Sequence, residues 1–307
     1  MNYAPIILFA YDRPDHTKIT LDALSENLEA KDSLLFIFCD GIKSNANPIQ
    51  IERINKTKEI ALQEDRFKSV KVITSNFNRG LSKSVITGVT EIVNEYNKVI
   101  VLEDDLVVDR WFLNYMNDAL NCYEFVSEVA CISGYIYPVN KPMPNTFFIK
   151  GADCWGWATW KRAWDLLDND GKKLLNEIER KKLCFDFDFY NSYPYVEMLK
   201  DQINGKNNSW AILWYASAYL SDKLTLYPSK SLVNNIGIDG TGTHSGYSSY
   251  FDVKLLNQKV LIEKIEIIEN VDAKKIISEY FSRFNKIRNI SFFKRIIKKI
   301  KQKLFIL

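Results

Sequence analysis

The sequence predicts an α/β fold, a mostly parallel central sheet flanked by helices. Three observations predict it. Short apolar runs alternate with longer segments of helical spacing through the first 110 residues, the pattern of parallel strands joined by right-handed crossovers. The run before Glu103 is apolar throughout rather than alternately polar, as a strand covered on both faces must be. Three of the runs stop abruptly in polar turns, Asp12-Arg13, Asp40-Gly41 and Glu103-Asp104-Asp105. Those turns fall at the carboxyl ends of strands, the edge at which open α/β sheets bind ligands.

Taken in order, Ala4–Ala10 reads as the first buried strand. Tyr11-Asp12-Arg13-Pro14 then opens a helix through about Leu28, with proline at the first helical position, where its missing N–H costs nothing. Leu34–Cys39 is the second strand and ends in the turn dipeptide Asp40-Gly41. Ile49–Gln63 has helical spacing. Val70–Thr74 is the third strand, followed by Asn76–Leu81 and a helix over about Ser82–Tyr96. Val99–Leu102 is the fourth and runs into Glu103-Asp104-Asp105. Three adjacent carboxylates repel one another, so a compensating positive charge is expected beside them. A divalent cation with a nucleotide diphosphate would supply it, since hard cations take oxygen ligands and bridge phosphates. The plainer alternative is an acidic turn in which Asp109 caps a helix over Trp111–Leu120.

Composition narrows the class. At 307 residues the chain buries a sizeable core, and its 47% hydrophobic and 26% charged content is that of a globular protein. No apolar run approaches the 18 or so residues of a membrane span. Ile6–Ala10 is too short for a signal peptide. Five widely spaced cysteines without a Cys-x-x-Cys pair read as reduced thiols of a cytoplasmic protein. There is no Gly-x-Gly-x-x-Gly and no Walker-type loop, which removes the dinucleotide and P-loop readings. Nothing points to nucleic acid.

The residues Phe9–Arg13, Cys39-Asp40-Gly41, Val101–Leu106, Gly151–Trp157 and Asn234–His244 together resemble the GT-A-fold, nucleotide-sugar-dependent glycosyltransferases. They are most similar to the N-acetylglucosaminyltransferase I type and to bacterial sugar transferases of surface polysaccharides. The resemblance covers about residues 4–260. It implies a Rossmann-like GT-A domain over 1–265, with a nucleotide-binding half (1–110) and an acceptor half (111–265). It implies a UDP-sugar donor, Mn2+ or Mg2+, and a glycan or lipid-linked glycan acceptor. Asp105 would contact the metal, Asp104 the ribose, Asp40 the base and Arg13 the diphosphate. Ala10, Tyr11, Glu103 and the Asn78-Arg79-Gly80 turn would line the donor site. Trp155-Gly156-Trp157 would lie near donor sugar and acceptor. The nearest enzymatic rival, a sugar-nucleotide nucleotidyltransferase, would normally carry a Gly-rich basic loop after strand one, which Tyr11–Pro14 is not.

In the second half, Val129–Gly134, Thr146–Ile149 and Leu224–Tyr227 read as strands, and Ser209–Leu220 as a helix. Trp157, Trp160 and Trp164 share one face if that stretch is helical, with core packing the simpler role for the last two. Residues 165–195 carry no assignable role. Glycine density over Asn234–His244 marks a loop that can approach a ligand closely. His244 is either a ligand to diphosphate or metal or an exposed loop residue. Inverting relatives place an Asp or Glu beside the equivalent of Ser209-Trp210. Here Asn207, Asn208, Ala211 and Ile212 stand there, so Asp153, Asp201 and Asp239 are the candidate bases. A carboxylate at Asp153 could also orient a sugar hydroxyl. Without a base, a non-catalytic sugar-nucleotide or glycan-binding module is the alternative.

After Glu279 no acidic residue occurs, whereas nine basic ones do; taking these from the 41 leaves 32 against 38 acidic residues in the body. Apolar residues recur at helical spacing among them. The segment 266–307 is therefore expected to be a basic helical tail that holds the protein at an anionic membrane surface, peripheral to the inner face of the cell membrane. The alternative is a helix docked on the body with a solvated basic face.

Overall fold

Eight strands in the order β3-β2-β1-β4-β8-β6-β9-β7 form the central sheet of the computed structural model, which describes residues 3–239, 249–283 and 285. The strands are β1 (Ile6–Ala10), β2 (Leu34–Cys39), β3 (Ser69–Thr74), β4 (Lys98–Glu103), β6 (Val129–Ser133), β7 (Thr146–Lys150), β8 (Trp157–Trp160) and β9 (Leu224–Pro228). A separate two-stranded ribbon pairs β5 (Leu106–Val108) with β10 (Val233–Asn235). The helices named below are α1 (Pro14–Ser25), α2 (Pro48–Leu62), α3 (Leu81–Tyr96), α4 (Phe112–Cys122), α5 (Lys161–Trp164), α6 (Gly171–Arg180), α7 (Cys184–Phe187), α8 (Tyr195–Ile203) and α9 (Trp210–Leu220).

The strands β3, β2, β1 and β4 are mutually parallel. The chain winds from β1 outward through β2 to β3, then returns to place β4 on the other side of β1. The reversal leaves a crevice beyond the carboxyl ends of β1 and β4. From β4 onward the sheet is mixed: β8 is antiparallel to both β4 and β6, while β6 and β9 are parallel. Because β8 runs backwards, its start at Trp157, opposite Val101, brings residues 153–156 to the edge where β4 ends.

Strand alternation divides the core. Ile6, Leu8, Ile100 and Leu102 join the cluster under α1 and α4, whereas Ile7, Phe9, Val99 and Val101 join the cluster under α3 and α9. A third cluster gathers α6–α9 with Phe147, Ile149 and Tyr227. Both faces of β1, β2 and β4 are covered, which explains why these strands read as apolar runs, whereas β3 at the edge is only partly buried and carries Lys71.

The indole-rich stretch differs from its expected form. Residues Trp157–Trp160 are strand, not helix, and only Lys161–Trp164 is helical. Two-residue periodicity sends Trp160 to the α4 side and Trp157 to the α3 and α9 side, where it meets Trp164, Trp210 and Trp214 at 5.5–6.1 Å between ring centroids. Burial on both faces, rather than a helical stripe, is what spaced these tryptophans.

The described part of the expected tail packs against the body. A helix over 271–283 buries Ala273, Ile277 and Phe281 in the third cluster. Lys274, 1% exposed, sits 2.7 Å from Asp186 and 3.2 Å from Glu269. The boundary drawn at 265 is therefore not a boundary of packing. Most of the basic stretch, from Lys286 on, lies outside the described residues, as does His244.

Candidate active site at the switch point

The turn Glu103-Asp104-Asp105 sits in the crevice between β1 and β4, and its three carboxylates point three ways. Glu103 continues the alternation of Val99 and Val101 and so faces α9 and α3. Its charge is opposed first by burial and then by Asp105 and Asp104, which push its pKa up to about 8; Arg13 and the Trp210 side chain pull in the other direction. Asp104 takes the opposite face. Its Oδ2 accepts from the Tyr11 N–H at 3.1 Å and faces the Thr17 hydroxyl, while its carbonyl accepts from Thr20. Burial, then Asp105, raises its pKa above the ordinary carboxylate range. Asp105 stays at the edge, where Arg13 Nη1 approaches its Oδ2 at 2.6 Å. Splaying is how the fold relieves the mutual repulsion, together with one guanidinium.

Arg13 thus pairs with Asp105 and not with Asp12 or Asp15; Asp12 is taken by Arg53 and Gln50. Arg13 stands immediately before Pro14 at the mouth of α1, so the same turn that starts the helix presents the guanidinium. Ala10 is buried, and its carbonyl accepts the Asp40 N–H. Tyr11 lies beneath the Lys43 ammonium, 5.4 Å from its ring centre.

Asp40 does not point out at an open base site. Its two oxygens accept from Gly41 N–H, Asn78 Nδ2, Arg79 N–H and Gly80 N–H at 2.8–3.1 Å. It is a clasp that fixes the β3–α3 turn against the β2 turn. Gly41 lies so close to that turn that a Cβ would come 2.3 Å from the Phe77 carbonyl carbon. Gly80, with φ +79°, starts α3 within reach of Asn208. Arg79 stacks on Phe77 at 5.6 Å, both exposed at this rim.

The ribbon carries a further segment over the pair. Ile236 N–H donates to the Asp105 carbonyl. Gly237 then passes so near that a Cβ would stand 2.0 Å from Asp105 Oδ2 and 2.7 Å from Arg13 Nη1. Asp239 Oδ2 lies 3.2 Å from His16 Nε2. His16 is the residue that sequence reasoning missed. The signal was its place one helical turn beyond Arg13. Trp210, noticed only as a neighbour of an absent base, also belongs here as the residue behind Glu103.

Of the three candidate bases, Asp153 is brought to this edge. Its Oδ1 accepts from Cys154 N–H at 2.6 Å and from Trp155 N–H, and burial raises its pKa. The pairing of Trp157 with Val101 brings the residues before it, Asp153 among them, toward the end of β4 where the turn begins. Asp239 is engaged by His16. Asp201 is not gathered in; it pairs with Lys206 near the end of α8. Trp155 is half-buried against Tyr135 and Phe251. Gly156, at φ +63°, abuts Val233, whose methyl would meet a Cβ at 2.6 Å, so packing requires this glycine. Trp157 is 1% exposed, so its side chain belongs to the core and not to the donor site.

Among the described residues no three His, Cys, Asp or Glu side chains converge to hold a metal ion. The donor chemistry still suits a hard divalent cation, because such ions commonly take one or two carboxylates and complete their shell with substrate phosphate and water. Asp105 is the carboxylate so placed. Among the same residues no helix is long and apolar enough to cross a membrane.

These features define a doubly wound α/β protein with a crevice at the β1/β4 reversal. No known family profile and no curated protein matches the chain. Solved structures are similar in part. TarS from S. aureus is 12% identical with a TM-score of 0.39, over 77% of this chain and 37% of that one. An active-site mutant of LgtC is 14% identical with a TM-score of 0.34, over 58% and 65%. The galactosyltransferase LgtC with donor and acceptor sugar analogues is 11% identical with a TM-score of 0.27, over 55% and 51%. The chain spans less than two thirds of the length of each.

Proposed function

We propose that the chain is an inverting, metal-dependent glycosyltransferase that moves a sugar from a UDP-sugar to a glycan acceptor in surface-polysaccharide or glycoconjugate synthesis. One observation carries the reading: a guanidinium and three splayed carboxylates meet at the topological reversal of a doubly wound sheet, where nucleotides bind. Cleavage of a sugar-nucleotide bond builds negative charge on the departing diphosphate. Arg13, at the N-terminus of α1, offers a fork of donors to that charge. A divalent cation on Asp105 would supply the remaining positive charge. Glu103, on the α3 and α9 side of the turn, would hydrogen-bond a sugar hydroxyl. Asp104, fixed by Tyr11 N–H and Thr17, would line the ribose side. The Asp40 clasp would support the base through the backbone of its two turns.

Asp153 is the candidate base for the acceptor hydroxyl. Burial that raises its pKa moves a carboxylate toward the range of a proton acceptor working near neutrality. The acceptor would be lipid-linked and reached at an anionic membrane surface through the basic residues after Asn285. The experiment is a panel of nucleotide sugars with and without Mn2+, read by thermal shift and by NMR of products. EDTA-sensitive transfer with inverted anomeric configuration is expected. Retention overturns the inverting assignment. Tight binding without turnover favours a binding module, a reading that the amide and apolar side chains flanking Ser209-Trp210 keep in play.

A further inference from the structure

In the free protein the two groups that the proposed substrate needs apart are bound to each other. Arg13 and Asp105 meet at 2.6 Å with only 18% and 15% of their side chains exposed. The pair is enclosed rather than open to water. The β1–α1 turn supplies Arg13, the turn between β4 and β5 supplies Asp105, and Gly237 closes over both without room for a methyl group. The closing segment is tied down on one side by the Ile236–Asp105 backbone bond and on the other by His16 and Asp239. A cation that takes Asp105 must displace Arg13. A diphosphate that takes Arg13 must displace Asp105. Either ligand, once bound, leaves the other's residue without its partner in a partly desolvated place, where an unpaired charge is costly.

We propose that Arg13 is a built-in competitor for the cation at Asp105, so that divalent cation and nucleotide diphosphate bind by exchange, each releasing the residue that the other requires. The inference rests on the reading of this crevice as a nucleotide-sugar site. Coupling of this kind is reciprocal: whatever factor the cation adds to nucleotide affinity, the nucleotide adds to cation affinity. Direct bridging of a metal to phosphate also couples the two ligands. It does not, however, make the Asp105 carboxylate an obstacle to nucleotide when metal is absent, and exchange does.

Three variants of the full chain separate these accounts: Asp105→Asn, Arg13→Met and, as a charge control, Asp15→Asn. Calorimetric titration with UDP is made in EDTA and in manganese, and manganese uptake alone is followed by electron paramagnetic resonance. In EDTA, Asp105→Asn is expected to bind UDP about fivefold more tightly than the wild type, and Arg13→Met to take up manganese alone about fivefold more tightly, the scale of a partly buried ion pair. Asp15→Asn removes an exposed carboxylate from the first turn of α1, two residues from Arg13, without touching the pair, and should leave UDP affinity in EDTA within about twofold of wild type. If Asp105→Asn and Asp15→Asn alter UDP affinity alike, a general field effect explains the result and exchange is overturned. Unchanged manganese uptake by Arg13→Met overturns it as well. Failure of the wild type to bind UDP even with manganese is a different outcome, which removes the nucleotide-sugar reading and this inference together.

Discussion

Replacing Gly237 by alanine tests the geometry of the crevice with a single methyl group. An ideal Cβ would stand 2.0 Å from Asp105 Oδ2, 2.7 Å from Asp105 Cγ and 2.7 Å from Arg13 Nη1. Ordinary contact needs a further separation of about 1.5 Å. The backbone cannot simply withdraw, because Ile236 N–H is bonded to the Asp105 carbonyl at 2.8 Å and Asn235 pairs with Leu106 in the ribbon. The side chains must therefore part. Overpacking costs about 1–3 kcal/mol, and loss of the ion pair costs up to about 1 kcal/mol. The lower unfolded-state entropy of alanine returns less than about 1 kcal/mol. The expected net loss is about 2 kcal/mol, or a fall in Tm of about 3 °C. Scanning calorimetry measures the loss, and UDP titration in manganese should show binding weakened by about tenfold, since a shift on the order of 1 Å in positioned groups is enough for that. A variant with wild-type Tm and wild-type UDP affinity would refute the closeness of this segment to the pair.

Other outcomes follow from the same contacts. Glu103 has a folded pKa raised from 4.5 to about 8, so it contributes stability that is complete below about pH 4.5 and lost as pH rises through 8; without metal, the Tm advantage of wild type over Glu103→Gln should shrink from pH 5 to pH 9, and a constant difference would contradict this. Asp40→Ala removes the acceptor of several charge-assisted bonds and should cost about 3 kcal/mol in urea unfolding, whereas a loss below about 0.5 kcal/mol would show that the two turns hold together without it. Truncation after Asn285 should preserve donor binding and abolish co-sedimentation with anionic vesicles, most sharply at low salt; equal sedimentation of both forms would remove the membrane role. A cut after Tyr280 would instead delete Phe281, 0% exposed, and lower stability by about 3 kcal/mol.

How much of this was legible in the sequence depended on which periodicity governed each stretch. The strands β1, β2 and β4 could be read because burial on both faces leaves no polar residue in their middles, and the ends of β1 and β4 could be read because charge begins where the sheet stops; β3, at the sheet edge, carries Lys71 and is only partly buried. Leu34–Cys39 falls on the strand residue for residue. The reversed strand β8 could not be read. Its tryptophans repeat at intervals of three and four, which mimics a helix, and only the sheet position between β4 and β6 reveals the true spacing. Site residues divided in the same way. Arg13 and Asp105 were signalled by strand ends, but their pairing joins residues 92 positions apart. The inward turn of Asp40, the partnership of His16 with Asp239 and the closeness of Gly237 are tertiary facts with no local signature.

The four-indole cluster has a practical consequence. Trp157, Trp164, Trp210 and Trp214 lie ring to ring behind Glu103, so near that an excitation absorbed by one is shared among all. Of the four, Trp210 is the one whose side chain interacts with the Glu103 carboxylate. The protein therefore carries its own optical probe beside this crevice, and titrating UDP while following the ultraviolet emission would report occupancy in real time without a label.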